Sequence, residues 1–362
     1  MTNEIRGRVR LFGTYDKNVH TRIEVVRRGL IEAGAEVEEV NRPVRFSTAR
    51  RVAASERPWK LLGWGGRTLL AWLSLGAAAI RGVRPDVVVV GYLGHFDVLL
   101  ARVLHPRATI VLDYLASIER MLIDRRLDRR GVRALARILD SLAMRTSDIV
   151  MVDTAEAASR EHGRARKIVT VPVGASPEWF ARPTSRSGPL RVIYFGVYTP
   201  LHGAETIGRS ISMLADADVE FTMIGTGQEH ELVKDHVGLD PHVTWIDWLD
   251  LDQLREAVGQ SDVCLGIFGT TPKALEVVPT KAYQGAASGA LVVTSRTRSQ
   301  EATLGDAAIY VSPGDPEDLA RVLRTLSTDS AILALRQRSH DWASSHYAPR
   351  QVVQPLLDAL AP

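Results

Sequence analysis

The sequence predicts an α/β protein that is built from two Rossmann-like domains. Its 362 residues exceed what a single hydrophobic core usually supports. Short apolar segments, typical of buried parallel strands, alternate along the chain with segments whose apolar residues recur at helical spacing. This alternation starts again after residues 177–189, which are rich in Pro, Ser and charged residues. We therefore expect one domain over residues 1–180 and a second over residues 181–340.

The first domain is expected to open with a strand, a helix and a second strand, over residues 8–12, 19–33 and 37–40. Further apolar segments supply the other strands of its sheet: residues 86–90, 108–112, 148–152 and 167–171. The first turn has a single glycine, Gly13, whereas a dinucleotide-binding fingerprint needs three. Nicotinamide chemistry is therefore disfavoured.

The second domain repeats the pattern. Its expected strands cover residues 191–195, 219–224, 243–246, 262–267 and 290–294. Its expected helices include residues 203–214, 251–258 and 282–288. The second of these strands ends in Gly225, Thr226 and Gly227, and we assign both glycines to the ligand-binding edge of the sheet.

Composition and charge restrict the class of protein. A hydrophobic fraction of 45% and a charged fraction of 24% are those of a soluble globular protein. The single cysteine, Cys264, cannot form an internal disulfide, and no apolar signal region follows the first charges, so we expect a cytoplasmic protein. Residues 1–181 carry 30 Lys and Arg against 20 Asp and Glu, and residues 182–362 carry 15 against 22. The basic first half suits an anionic partner or an ordinary solvated surface.

Residues 59–84 form an apolar segment that contains basic residues. Its uninterrupted apolar part, residues 68–80, would make about 20 Å of helix, which is too short to cross a hydrocarbon core of about 30 Å. Tryptophans and basic residues accompany it: Trp59, Trp64, Trp72, Lys60, Arg67, Arg81 and Arg84. This pattern suits a helix at an anionic membrane surface. A helix packed on the first sheet explains it equally well.

Residues 266–295 carry the strongest functional pattern. They leave an apolar strand, pass through a polar loop with Lys273 and Glu276, and enter a short helix at Thr280 and Lys281. A helix N-terminus beside the carboxyl ends of parallel strands offers free N–H groups and positive partial charge. A diphosphate is therefore the expected ligand.

Glu276 and Gln284 are eight residues apart, and the frame EVVPTKAYQGAASG resembles the Glu-x7-Glu signature of the group 1 retaining glycosyltransferases. The order of elements over residues 191–326 resembles the C-terminal half of that family. The resemblance implies the GT-B fold, with two Rossmann-like domains facing across a cleft, and transfer of a sugar from a nucleotide diphosphate donor. It implies that Glu276 is catalytic and holds the transferred sugar, and that Gln284 replaces the Glu that holds the ribose.

Part of the family's phosphate-binding pattern is missing. After the first strand of the second domain the family commonly has an Arg and a Lys-Gly pair, whereas this chain has His202 and Gly203 and no Arg at that place. We assign the donor diphosphate to Lys281, Lys273 and the helix start at Thr280, assisted by His202 and Gly203. No Asp-x-Asp cluster follows a strand, so we expect no essential metal and no cofactor apart from the donor substrate.

The first domain is the expected acceptor side. Gly13, Thr14 and Tyr15 form its first turn, which the resemblance places beside the cleft. His95 follows a buried strand, in a region where the family often holds a histidine near the transferred sugar, and it is the leading catalytic candidate of this domain. Asp113 ends the next strand and is assigned to the acceptor side.

The sequence thus predicts a retaining glycosyltransferase whose acceptor is a lipid-linked glycan or a small molecule. The resemblance also implies that residues 341–362 form helices that return to the first domain. Two alternatives stay open: a GT-B-type sugar-nucleotide epimerase, and a catalytically degenerate transferase-like binding or scaffold protein. Gln284 and the missing basic pair motivate the second alternative. Peripheral attachment to the inner, anionic face of a membrane is a further open possibility, and no nucleic-acid partner is predicted.

Overall fold

The structure is a computed structural model, which describes residues 7–17, 21–44, 60–124, 130–185 and 187–361. The chain divides into two compact units. The first unit combines Met1–Pro172 with Val352–Pro362, and the second unit covers Val173–Gln351. Residues 173–180 and 341–351 are therefore grouped with the second unit.

Aromatic contacts explain this grouping. The ring of Trp179 stacks on that of Phe195, with centroids 6.4 Å apart, and the backbone carbonyl of Trp179 accepts a 3.1 Å hydrogen bond from Ser288 Oγ. The rings of Tyr283 and Tyr347 meet edge to face at 4.8 Å. Both contacts lie inside the second unit and bury large side chains, so these residues pack with its sheet.

The first unit contains a six-stranded parallel sheet. Its strands are β1 (Arg8–Gly13), β2 (Glu36–Asn41), β3 (Val87–Val90), β4 (Thr109–Asp113), β5 (Ile149–Val152) and β6 (Ile168–Thr170). Their spatial order is β2-β1-β3-β4-β5-β6. β3 consists of four buried valines, as expected for a parallel strand that is covered on both faces. The order changes direction between β1 and β3, and ligands of open α/β sheets usually bind beside the carboxyl ends of such strands.

Helices cover both faces of the first sheet. They are α1 (Arg22–Glu32), α2 (Lys60–Arg81), α3 (Asp97–Leu104), α4 (Ile118–Asp124), α5 (Arg130–Thr146) and α6 (Ala155–Arg160). The buried residues of α1 pack in one hydrophobic core, and those of α2, α3 and α5 pack in another. The predicted start of the first helix, Val19, lies outside the described residues.

One face of α2 packs on the first sheet, where Leu75 and Ala79 are buried. The opposite face exposes Leu70, Leu73 and Ile80. Among the residues that the structure describes, no helix is both long and apolar enough to cross a membrane. Trp59 and the side chain of Trp64, for which the sequence allows either a membrane surface or packing on the first sheet, lie outside the described part of the chain.

The second unit contains a second six-stranded parallel sheet. Its strands are β7 (Leu190–Phe195), β8 (Val219–Ile224), β9 (Val243–Ile246), β10 (Val263–Leu265), β11 (Leu291–Ser295) and β12 (Ala308–Val311). Their spatial order is β12-β11-β10-β7-β8-β9, which is the doubly wound order of nucleotide-binding sheets. The order changes direction between β7 and β10. β10 is shorter than the predicted strand over residues 262–267, because the chain leaves the sheet after Leu265.

The helices of this unit are α7 (Ala204–Ser212), α8 (His230–Val237), α9 (Leu251–Gly259), α10 (Thr280–Ala287), α11 (Arg298–Leu304), α12 (Pro316–Ser327) and α13 (Ile332–His346). Two short helices follow, α14 (Pro349–Val352) and α15 (Gln354–Leu360). Val352, Val353, Leu356 and Leu357 are buried in the core of the first unit, together with residues of β1 and α1. The last helix therefore completes a core whose strands lie far earlier in the chain.

Candidate functional site

Loops that follow β7 and β8 pack against each other through glycines. A Cβ atom on Gly225 would lie 2.0 Å from the carbonyl oxygen of Gly196, and one on Gly227 would lie 2.5 Å from that of Tyr198. Gly225 also has φ +116°, a conformation that favours glycine. Both glycines were predicted as donor-binding residues. Their observed contacts give them a packing role, and a role in ligand binding stays a prediction.

The loop after β10 packs in the same way on the loop after β7. Gly203 has φ +64°, and a Cβ on it would lie 2.4 Å from the backbone nitrogen of Gly269. The backbone N–H of Phe268 donates a 2.9 Å hydrogen bond to the carbonyl of His202. The two loops flank the position where the order of the sheet changes direction, so these contacts fix the backbone of the expected ligand site.

Helix α10 begins at this place with exposed Thr280 as its first residue. Its N-cap, Pro279, makes no side-chain capping bond, and the N–H of Ala282 donates to the carbonyl of Pro279 at 3.0 Å, which leaves the N–H groups of Thr280 and Lys281 for a ligand. Half-buried Glu276 and Lys273 lie in the preceding loop, where the N–H of Glu276 donates to the carbonyl of Lys273 at 3.1 Å. Gln284 is buried in the second turn of α10. The helix start is thus open to an anion.

The side chain of Lys281 points from α10 to the carboxyl end of β7. Its Nζ atom lies 3.8 Å from the centroid of the Tyr194 ring and 6.0 Å from that of Phe195. A Cβ atom on Gly196 would lie 3.2 Å from the same Nζ. Lys281 is 5% exposed, and Nζ has no hydrogen-bond partner among the described residues. A buried amine in this state is rare, because burial penalises an unpaired charge.

Burial lowers the pKa of the two bases at this place, Lys281 and His202, and raises the pKa of the neighbouring acid, Cys264. It lowers the pKa of Lys281 to about 7. Burial, followed by repulsion from Lys281, lowers the pKa of His202 to about 4, and His202 Nδ1 contacts the carbonyl oxygen of Val197. Burial raises the pKa of the Cys264 thiol to about 12. The surroundings therefore favour the neutral form of all three side chains.

Two residues near this site were not singled out in the sequence. In the sequence Tyr194 is an ordinary strand residue. In the structure the Lys281 amine packs against its ring. Glu229 follows β8, and its buried Oε2 has no hydrogen-bond partner among the described residues. Burial, followed by repulsion from Glu205, raises the pKa of Glu229. No sequence signal marks either residue, because both contacts depend on how the loops fold.

In the first unit, the predicted turn residues are held by one carboxylate. Asp97 accepts hydrogen bonds from the backbone N–H of Thr14 at 2.8 Å, from Thr14 Oγ1 at 2.9 Å and from Trp72 Nε1 at 2.8 Å. Gly13 lies directly beside this carboxylate, since a Cβ on it would be 3.0 Å from Asp97 Oδ2. Tyr15 is buried and donates a hydrogen bond to Glu39 at 3.0 Å. The turn is therefore tied to α2 and α3, a link that the sequence did not predict.

His95 lies in a second polar network of the first unit. Its Nε2 is 2.9 Å from Oδ1 of Asp140, and its ring centroid is 5.5 Å from that of Tyr114. The Asp140 carboxylate also accepts hydrogen bonds from Ser117 Oγ at 2.6 Å and from the N–H groups of Ile118 and Glu119. Asp140 thus caps α4 and fixes the His95 ring at once. His95 is 4% exposed, and a catalytic role stays a prediction.

Asp113 is buried at the end of β4 and forms an ion pair with Arg22 Nη1 at 3.1 Å. Burial raises the pKa of Asp113, and Arg22 opposes this shift. Arg22 also donates to the carbonyls of Val152 and Val171, which links the ends of three strands. These contacts make the pair part of the scaffold, and an acceptor role for Asp113 stays a prediction. In the described part of the chain, no group of three or more His, Cys, Asp or Glu is arranged to hold a metal ion.

Residues 189–329 match the family model for glycosyl transferases group 1. No curated protein matches the chain. Solved structures of similar fold include sucrose-phosphate synthase from Thermosynechococcus elongatus, with 13% identity, a TM-score of 0.69 and 98% of each chain covered. Another is Anabaena HepE in complex with UDP and glucose, with 13% identity, a TM-score of 0.66 and 98% of each chain covered. The UDP-forming α,α-trehalose-phosphate synthase from Burkholderia vietnamiensis has 15% identity, a TM-score of 0.61 and the same coverage.

The fold and the matched segment resemble the same class of protein. Two parallel six-stranded sheets with helices confirm the predicted α/β fold, which is that of the GT-B glycosyltransferases. The second unit contains a glycosyltransferase group 1 domain. The chain therefore has the fold of the GT-B glycosyltransferases, and its residues 189–329 are similar to the group 1 glycosyltransferases.

Proposed function

We propose that this protein transfers a sugar, with retention of configuration, from a nucleoside diphosphate sugar to a lipid-linked acceptor at a membrane surface. The observation that carries the donor part is the Lys281 amine, which is buried beside the start of α10 and has no hydrogen-bond partner among the described residues. An amine and the free N–H groups of a helix start are the donors that a diphosphate requires.

Different residues of the second unit bind different parts of the donor. Lys281 and the first turn of α10 bind the diphosphate, with His202 and Lys273 assisting. Glu276 accepts hydrogen bonds from hydroxyl groups of the transferred sugar, and Gln284 binds the ribose. As the glycosidic bond stretches, negative charge grows on the departing diphosphate, and the Lys281 amine stabilises that charge in its protonated form. No step of this scheme requires a metal ion.

Titration calorimetry with UDP, GDP and ADP tests the donor part. The HepE complexes hold UDP and UDP-glucose, so UDP is the first ligand to use. We expect one of the three diphosphates to bind, and the variant Lys281→Ala to weaken it much more than the corresponding nucleoside, because only the diphosphate meets the amine. Lys234→Ala, at a half-buried position of α8, is the matched control. Failure of all three to bind would instead favour a scaffold protein.

The observation that supports a membrane-bound acceptor is an exposed apolar surface on the first unit, here called the outer helix face. It consists of Leu70, Leu73 and Ile80 on α2, Val103 on α3, and Val132, Leu135, Ile138 and Leu142 on α5. The three helices pack over one core, α2 against α3 and α3 against α5. Exposed arginines lie on these helices or directly after them, among them Arg84, Arg107, Arg145 and Arg137, of which Arg137 is paired with Glu119. Apolar side chains with nearby positive charge suit an anionic lipid surface.

Flotation with liposomes tests this part separately. Wild-type protein is expected to float with vesicles that contain anionic lipid at low salt, and less at high salt, since each basic residue near the surface contributes about 1 kcal/mol. The triple variant Leu70→Ser, Leu73→Ser and Ile80→Ser should remain at the bottom of the gradient. Leu239→Ser, at a fully exposed site of the second unit, is the control that should still float. Wild-type protein that never floats would point to a soluble acceptor.

A further inference from the structure

We propose that binding of the donor diphosphate is coupled to uptake of a proton by Lys281, so that the amine is neutral in the empty site and cationic in the occupied site. This inference rests on the proposed function, because it assumes that the donor diphosphate reaches Lys281. It adds a property that does not follow from donor binding alone: the affinity for the donor depends on pH through one side chain of the protein.

The geometry around the amine supports the neutral empty state. Nζ lies 3.8 Å above the Tyr194 ring, beside the Cα of Gly196, and the side chain is 5% exposed. Among the described residues Nζ has no hydrogen-bond partner, and no carboxylate contributes to the electrostatic surroundings of the amine. A cation buried without a counter-charge costs several kcal/mol, whereas a neutral amine costs much less.

The titratable groups around the amine come from each element that packs on it. His202 lies on the loop after β7, Cys264 on β10 and Tyr194 on β7. Burial lowers the pKa of His202 and raises the pKa of Cys264 and Tyr194, so all three are neutral near pH 7. None of them supplies the negative charge that would hold a proton on Lys281. The diphosphate supplies it, and the protonated amine then has an anionic partner.

The aromatic platform makes the change of charge easier. The face of a tyrosine ring carries partial negative charge, and an amine above it gains from becoming a cation. The Tyr194 ring therefore stabilises the protonated form of Lys281, but this interaction alone does not keep the amine protonated in the empty site. The pKa of Lys281 in the empty site, about 7, lies where an added anion shifts the amine from mostly neutral to mostly charged at pH 8.

Calorimetry of UDP binding at pH 8.0, in two buffers with different ionisation enthalpies, measures the proton uptake directly. UDP is fully ionised at this pH, so the ligand itself exchanges no proton. We expect uptake of roughly one proton per UDP, and an affinity that falls about tenfold between pH 8 and pH 9. Lys281→Arg should bind UDP with no proton uptake, because a guanidinium keeps its charge. Lys281→Met, which is of similar size and uncharged, should bind UDP weakly without uptake.

Other outcomes separate this inference from the proposed function. UDP binding without proton uptake by the wild type would overturn the inference and leave the proposed function intact. Uptake that persists in Lys281→Arg but disappears in His202→Asn would assign the proton to His202 and overturn the inference as well. If UDP does not bind, GDP and ADP are used in the same way. If none of the three binds, the proposed function fails, and the inference fails with it.

Discussion

Two carboxylates of the first unit and one amine of the second unit differ in how well they are paired. In the first unit, Asp97 accepts three hydrogen bonds and Asp140 accepts three more, in addition to its contact with His95. In the second unit, the Lys281 amine lies buried at the corresponding place of its sheet with no hydrogen-bond partner among the described residues. The two carboxylates hold the scaffold through the donors around them, whereas the buried amine is a candidate contact for a ligand.

The largest expected effect concerns turnover at the second sheet. Glu276→Ala should lower kcat about a hundredfold, because a carboxylate that accepts sugar hydroxyls in a site closed by the donor is worth about 2–4 kcal/mol. Initial rates with the nucleotide sugar that binds measure this effect. Glu256→Ala, on the exposed side of α9, serves as the control and should leave kcat unchanged. A kcat within threefold of the wild type would remove Glu276 from the donor site.

The next effect concerns stability of the first unit. Asp140→Ala leaves the buried hydroxyl of Ser117 and the half-buried N–H groups of Ile118 and Glu119 without their acceptor, at a cost of about 3–5 kcal/mol. Scanning calorimetry should show a Tm lower by about 5–15 °C. Asp235→Ala, at an exposed position of α8, should change Tm little. A Tm of Asp140→Ala within 1–2 °C of the wild type, roughly the scatter of surface variants, would contradict the assigned network.

A substitution of Lys281 is expected to raise the melting temperature, whereas Asp140→Ala lowers it. Burial lowers its pKa in the folded state to about 7 from an ordinary value of 10.5, so between these pH values the unfolded chain binds a proton that the folded chain does not. Wild-type stability should therefore rise as pH increases from 7 to 10, and Lys281→Met should flatten this rise. At pH 7 the variant should melt about 2–6 °C higher. A lower Tm for Lys281→Met would mean that the amine has a stabilising partner.

The smallest effect is expected at the outer helix face. The triple variant Leu70→Ser, Leu73→Ser and Ile80→Ser should change Tm by no more than about 1–3 °C, since these side chains are exposed. Leu75→Ala, on the buried face of the same helix, should cost about 2–5 kcal/mol and lower Tm clearly. Similar losses for the two variants would show that both faces of α2 are packed, which would weaken the membrane proposal.

Much of the fold could be predicted, because periodicity is a local property of the sequence. The valines of β3 and the apolar strands of the second unit were recognisable as buried parallel strands. The group 1 pattern around Glu276 indicated the glycosyltransferase class, which the family match over residues 189–329 supports. Element bounds were less accurate: the helix expected at residues 282–288 spans Thr280–Ala287, because Pro279 already fixes the extended residue before it.

The burial and the side-chain contacts of the site residues could not be predicted. Lys281 was expected to bind a diphosphate from its place at a helix start, but its burial over Tyr194 depends on a contact between residues far apart in sequence. The hydrogen bonds of Asp97 could not be predicted from the sequence, since an aspartate at the start of a helix usually interacts only with the helix dipole. Its bonds to Thr14 and Trp72 arise only when β1, α2 and α3 come together.

The position of α15 has a consequence for how the chain is made. Val353, Leu356 and Leu357 complete the core around β1 and α1, yet the ribosome adds them only after the whole second unit. Until these residues are made, the first sheet exposes the apolar surface that they cover in the finished protein. A nascent chain paused before Val352 would present that surface to chaperones. The core of the first unit therefore cannot be completed before the last helix has been made.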